Sequence, residues 1–208
     1  MHIGNPGDGN GKEDYYGVLL GEEMRMIAYK GFNNNLACTL GHGIFQYQVG
    51  QTYQEELAEC ASTGFHCVEE PIEVLSWYSN GRYCIVEALG DVHEDGNDKI
   101  SCSQMKILKE ITLEQIGALE CEWQRLHPER AYSKNVCQNT GTAQKDNIVV
   151  VRGKNPKAAG KIGATIFLLK EQYGEIVAAG AYKIDGVRYL PEIYYNVEGR
   201  KVRCGKKN

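Results

Sequence analysis

The sequence predicts an α+β fold: a mixed or antiparallel sheet core with few helices, closed by a β-meander at the C-terminus. Three observations carry that expectation. Short runs rich in Ile, Val and Tyr alternate between Gly, Asn and Asp punctuation, as half-buried strands do. A capping pattern, Thr112 with Gln115, opens a helix just where a 3.6-residue apolar stripe begins. The last third carries three tight-turn dipeptides, Tyr173-Gly174, Asp185-Gly186 and Glu198-Gly199.

Taken in order, residues 1–24 hold many Gly with Asn and Asp and no sustained periodicity, and read as a flexible leader. Residues 26–30 form a short strand closed by Gly31, and 44–49 alternate well enough to be another. The polar, acidic stretch 53–61 reads as one or two helical turns. Residues 64–68 are a strand, and Pro71 sits where helices accept proline, at the first position, where its missing N–H costs nothing. Ile72, Leu75 and Trp77 or Tyr78 supply the apolar face of that helix. Asn80-Gly81 marks a turn, and 83–89 (Y-C-I-V-E-A-L) is the most strand-like run in this half.

The Thr112 helix runs to about Leu126, with Leu113, Ile116, Leu119 and Trp123 on one face, and Pro128 stops it. After a polar loop, 147–152 (N-I-V-V-V-R) is a buried strand. Residues 152–161 read as a basic loop, and 164–170, 176–184, 187–190 and 193–197 as the closing meander. The chain thus divides into a leader (1–24), an α+β domain (25–131) and a basic β-rich region (132–208).

A chain of 208 residues can bury one good core, or one domain and a smaller one. No apolar run approaches the roughly 18 residues that span a bilayer, and no secretion signal is present, so a cytosolic location and no membrane partner are expected. The eight cysteines are irregularly spaced and read as reduced, mostly buried thiols. Net charge is −4, unevenly distributed: residues 133–208 hold 14 Lys and Arg against 6 Asp and Glu, while residues 1–132 hold 9 against 21. Such a split fits two units with different partners, or two halves that complement each other.

Arg152, Lys154, Lys157 and Lys161 lie within ten residues that also hold two glycines, a pattern that can grip phosphates of a nucleic acid or nucleotide, although the G-x-x-x-x-G-K-[ST] loop is absent. The same run also reads as a solvated connector. Cys38, His42, Cys60, His66 and Cys67 make a zinc site conceivable, but no C-x-x-C pair anchors it, so no metal and no resident cofactor is expected.

The succession Y-K-G-F (29–32), F-Q-Y-Q-V-G-Q-T-Y (45–53), T-G-F-H-C (63–67), E-E-P-I-E-V-L-S-W-Y (69–78) and R-Y-C-I-V-E-A-L-G-D-V (82–92) resembles an uncharacterised domain family of phage and prophage proteins. Members often continue with N-T-G repeats, a small-residue loop and short hairpins. Here Gln138-Asn139-Thr140-Gly141, residues 158–163, 164–170 and 183–187 follow that order, with one N-T-G copy. The resemblance covers residues 26–202 and implies a mobile-element origin and the host cytoplasm.

A second likeness is to ADP-ribosyltransferases. Gly64-Phe65-His66-Cys67 and Val86-Glu87-Ala88-Leu89-Gly90 are similar in order and spacing to that fold's G-I-Y-F-type and E-V-A-L-G-type strands. The likeness implies that Lys30, beside Gly31, anchors a ribose, that His66 stands where a tyrosine stacks on nicotinamide, and that Glu192 is the catalytic carboxylate, with NAD as cofactor. His66 also reads as a partly buried strand-end histidine.

The leading expectation is a phage or prophage accessory protein that binds a host macromolecule, a nucleic-acid-handling defence complex included, as an anti-defence inhibitor. Direct nucleic-acid or nucleotide binding through the basic region is compatible with it. The alternatives are an ADP-ribosyltransferase-like enzyme or its nucleotide-binding relative, and a virion or scaffold component.

Overall fold

The structure, a computed structural model, describes residues 25–39, 43–58, 62–94 and 99–203. The leader, His42, Cys60 and the tail beyond Arg203 lie outside them. Two sheets and one long helix make up most of the chain, in the α+β arrangement with few helices that the sequence predicts.

The first sheet is a ring with a seam. Strands β1 (Met26–Phe32), β2 (Ala37–Cys38), β3 (Phe45–Gln46), β4 (Thr52–Gln54) and β5 (Phe65–Val68) precede a 3-10 turn at Pro71–Glu73 and a short helix α1 (Val74–Trp77). A long hairpin follows, β6 (Arg82–Glu94) against β7 (Lys99–Ile111). The free edge of β6 takes β1, from Met26 opposite Ala88 to Phe32 opposite Arg82. The free edge of β7 takes β5, Phe65 opposite Cys102, and then β4, Tyr53 opposite Met105. β1 and β5 close the ring through one residue pair, Tyr29 opposite Val68.

Alternation sorts the side chains by face, since successive residues of a strand point to opposite sides. Ala28, Phe32, Phe65, Cys67, Cys84, Val86, Met105 and Ile107 fill the inside of the ring. Tyr29, Val68, Tyr83, Ile85 and Ile111 face the other way, into a second core shared with Ile116 of the helix and Val136, Val150, Phe167 and Leu169 of the second sheet.

That second sheet is a short coil of parallel strands. β8 (Val136–Ala143), β9 (Ile148–Gly160) and β10 (Thr165–Gln172) stack with Val136 opposite Val150 and Ile148 opposite Thr165. The N-T-G motif supplies a corner. Asn139 takes a left-handed φ of 60°, and the β9 corner beneath it is Gly153 at φ 155°, where a Cβ would overlap the Asn139 amide. β11 (Glu175–Lys183) returns along β10 through the Tyr173-Gly174 turn, β12 (Tyr194–Asn196) lies antiparallel to the second leg of β9, and β13 (Lys201–Val202) closes the edge.

Several expected elements differ. Residues 152–161 are not a basic loop: β9 continues to Gly160 because both its edges are paired, by β8 and β12, and Ala158 packs in the core. Residues 53–58 hold no helix, since Thr52–Gln54 pairs with β7. The strand expected over 44–49 shrinks to Phe45–Gln46. Residues 187–190 form a loop, pinned by three backbone N–H groups donating to the Asp185 carboxylate.

Helix α2 (Leu113–Leu126) opens on a complete capping box: Gln115 N–H donates to Thr112 Oγ1, and Thr112 N–H to Gln115 Oε1. α2 lies at the junction of the two sheets, where a buried polar network runs through it. Arg152 donates from Nε to Glu171 at 2.8 Å, from Nη1 to Gln124 at 2.5 Å and from Nη2 to the Pro128 carbonyl. Gln124 donates to Glu70 at 3.1 Å and Glu120 at 2.9 Å, and Glu120 accepts the Ile72 N–H. Glu73 accepts from Ser76, Ser133 and Asn135 beside them.

Burial raises the Glu120 carboxyl above its ordinary value of 4.5, although hydrogen bonds from Glu70, Gln124 and Ile72 pull the other way; the neighbouring Glu73 adds to the rise. In the unfolded chain Glu120 ionises near its ordinary value, so as pH rises from there to the folded value the unfolded state sheds a proton that the folded state keeps. Its contribution to stability is therefore full at low pH and lost as pH climbs through that window. Glu120→Gln should flatten the decline of stability as pH rises above the ordinary carboxylate value of 4.5, relative to the parent, read as urea midpoints at increasing pH. Parallel curves for the two proteins would refute the assignment.

Candidate functional site

β1 and β5 part company beyond the Tyr29–Val68 pair, after Tyr29 in β1 and before Val68 in β5, and the seam between them opens into a cavity of about 730 Å³. Two faces line it. From the inside of the ring come Lys30, Cys38, Phe45, Tyr47, Phe65 and Cys67; from the other side come Gly31, His66, Trp77, Tyr78 and Lys99. The cavity is thus a slot through the sheet.

Its inner lobe is aromatic. The Phe45 ring stands 4.7 Å from Tyr47, 5.5 Å from Tyr53 and 5.7 Å from Phe65, at tilted or edge-on angles that aromatic pairs favour. The Lys30 ammonium lies 5.3 Å from the Tyr47 ring and 5.7 Å from that of Phe32, and donates to the His66 carbonyl across the seam. That bond satisfies a strand carbonyl at the place where ladder pairing stops. Gly31 leaves room for α1: a Cβ there would stand 3.0 Å from the Tyr78 ring and 3.2 Å from the Val74 carbonyl.

The outer lobe is amphipathic. Trp77 is 45% exposed, and the Lys99 ammonium sits 4.4 Å above its ring. Glu55 lines the slot and accepts the Gly64 N–H at 3.0 Å, holding the start of β5. The thiols differ by place. Burial, then the Glu110 charge, pushes Cys84 up to about 12. Cys102 is lowered, first by a hydrogen bond from Cys67, with the Leu89 backbone and the Lys30 charge helping and desolvation opposing. Burial and the adjoining Cys38 raise the Tyr47 phenol.

Lys30 and His66 therefore meet at one cavity, reaching it from opposite faces of the ring. Glu192 does not join them. It lies on the second sheet just before β12, exposed and at a left-handed φ of 61°, its N–H bonded to the Gly160 carbonyl. The four basic candidates also separate. Arg152 is buried at 2% exposure in the α2 junction and cannot reach a phosphate outside, because its charge is satisfied by Glu171 and its donors by Gln124 and Pro128. Lys154 and Lys161 are exposed and Lys157 is half-buried, all on or beside the second leg of β9.

Among the described residues no group of three or more His, Cys, Asp or Glu could hold a metal ion; His42 and Cys60 lie outside them. No helix among them is long and apolar enough to cross a membrane. Phe45, Tyr47, Glu55 and Lys99 are slot residues that motif reading did not single out. Trp77 was legible only as a core position, and its signal was the exposed end of a four-residue helix too short to bury it.

Residues 26–119 match the family model of a domain of unknown function, DUF7666. That stretch contains the ring, the slot and the first half of α2, and the description names no activity, source or partner. No curated protein and no solved structure matches the chain.

Replacing Lys30 by Met should cost about 1–3 kcal/mol, because it removes the Lys30 hydrogen bond to the His66 carbonyl in a part-buried seam. Urea denaturation of the variant against the parent measures it, and an unchanged midpoint would show that water serves the carbonyl as well.

Proposed function

We propose that the chain acts by binding, and that its slot takes a small ligand carrying a flat ring and an anionic group, a nucleotide-class ligand, and holds it without turning it over. The observation that carries this reading is the convergence of Lys30, His66, Trp77 and Lys99 on one aromatic-lined cavity while Glu192 stands on the other sheet. A concave site with mostly apolar and aromatic walls and a few placed polar groups is what small ligands need. Rings can stack on Trp77 or among Phe45, Tyr47 and Phe65, and the lysines supply the cations for an anionic tail.

An ADP-ribosyltransferase would need, besides the ring site, a carboxylate beside the breaking glycosidic bond to stabilise the positive charge that develops there. Among the described residues Glu55 is the carboxylate that lines the slot, and the Gly64 N–H already occupies one of its oxygens. NAD is within the ligand class, so the binding and enzyme readings part at turnover.

A second reading, a phage or prophage accessory protein that meets a host macromolecule in the host cytoplasm as an anti-defence inhibitor, is favoured by the cations of the second sheet. Lys154 and Lys161 are exposed, and no ion pair within the described residues neutralises them. This reading uses a surface separate from the slot.

Calorimetric titration with NAD, ATP and adenosine should give saturable heats with the two charged ligands and weaker ones with the nucleoside. Trp77→Ala should weaken binding about tenfold or more, in the range of one lost aromatic stack. No binding by any of the three would sink the slot reading, and steady release of nicotinamide from NAD would replace it with the enzyme.

A further inference from the structure

Resting on the second of those readings, we infer that the outer face of the β8–β9–β12 leg is a docking surface for the phosphate backbone of a nucleic acid. The strand registers build that face. Thr140 stands opposite Lys157, and Lys157 opposite Asn196, so the three side chains share one side of the sheet. Arg200 joins the row through the turn, its N–H donating to Asn196 Oδ1 at 2.9 Å while Asn196 N–H donates back to the Arg200 carbonyl.

The neighbouring positions Ala158 and Tyr195 point the other way, into the coil core, which fixes the direction of the row. Lys154 and Lys161 flank the β9 leg, and Lys201 and Arg203 follow along the edge, all exposed. Among the described residues none of these cations is in an ion pair. Glu192 and Glu198 are the carboxylates of the adjoining segments, so cations outnumber anions there.

The occupant follows from charge and from regularity. Thr140 and Asn196 are neutral donors that alternate with Lys157 and Arg200 across the row, the mixture that positions proteins on phosphate oxygens without reading bases. A nucleic-acid strand offers about one negative charge every 3.4 Å whatever its sequence, so each cation finds a partner in any register. An acidic polypeptide offers carboxylates only where its own sequence puts them. The acidic residues concentrated before position 133 repel the polymer from the rest of the molecule and confine it to this face.

Fluorescence anisotropy of the full chain with a labelled mixed-sequence 20-mer, at about 50 mM and about 200 mM salt, tests the inference. The parent should bind with a steep salt dependence. K157E/R200E should bind at least tenfold more weakly and lower the salt slope by about two, while K183Q, whose lysine pairs with Glu114, should change neither. Thermal melts establish that both variants are folded, and if K157E/R200E is not, Lys157→Gln with Arg200→Gln takes its place. No salt-dependent binding by the parent, or equal binding by the charge-reversed protein, overturns the assignment. Competition by polyglutamate as strong as by unlabelled oligonucleotide also overturns it and leaves an acidic protein as the partner; failure of both polymers to bind removes the macromolecular reading with it.

Discussion

A guanidinium sealed from water must have its charge and its donors answered on the spot, and Arg152 is such a group. Breaking one of its partners would leave a buried charge uncompensated, which costs far more than the pair contributes. Glu171 lies on its own sheet, Gln124 on α2 and Pro128 just beyond the helix, and the Tyr132 ring covers the guanidinium at 4.8 Å. One side chain thereby fixes how the helix lies on the second sheet. Gln124 then fixes Glu70 and Glu120, and Glu120 takes the Ile72 N–H, so the 3-10 turn at Pro71–Glu73 is held against the helix. α1 continues directly from that turn, and Trp77 and Tyr78 at its end form a wall of the slot. The outer wall of the candidate site is thus placed by an ion-pair network in another part of the molecule.

The seam owes its existence to what the chain does on either side of Tyr29 and Val68. β1 is held along its whole length by β6, and β5 along its whole length by β7, so neither can shift to close the gap. Lys30–Phe32 and Phe65–Cys67 have no β1–β5 ladder pairing between them, and the Lys30 ammonium answers the His66 carbonyl there directly. The aromatic cluster under the gap helps to keep it open, because the rings of Phe45, Tyr47 and Phe65 pack against one another at tilted or edge-on angles.

Much of this was legible from local chemistry, and what was not legible was non-local. The capping box at Thr112 and Gln115, the proline at the first position of its turn, and the Tyr173-Gly174 hairpin turn all appear as read, because each is decided by residues within four positions. β7 escaped notice although Ile100, Cys102, Met105 and Ile107 are buried, since serines and lysines between them hide a strand paired on both edges. The parallel coil was equally hidden: β8 and β9 pair at a separation of fourteen to seventeen residues, with a single N-T-G corner to announce it. Arg152 looked like a member of a basic loop because its partners, Gln124 and Glu171, are far off in sequence. Lys30 and His66 both line the slot, but no pattern in β1 or β5 says that the two strands separate there.

The opposed approach of those two residues constrains what the slot can hold. Lys30 enters from inside the ring and is already bonded to the His66 carbonyl; the His66 ring belongs to the other face. An anion drawn to the ammonium competes with that carbonyl for it, and loss of the lysine's hydrogen bond in a part-buried seam costs about 1 kcal/mol or more. A ligand that brings only negative charge must offset that loss. A ligand that also brings an N–H donor to the carbonyl, as an amino-substituted ring or a carboxamide does, replaces the lysine's bond in the same step that it takes the lysine. On the proposed small-ligand reading, that one hydrogen bond across the seam would favour a nitrogen-bearing ring over a simple anion, independently of how Trp77 and Lys99 stack on the outer side.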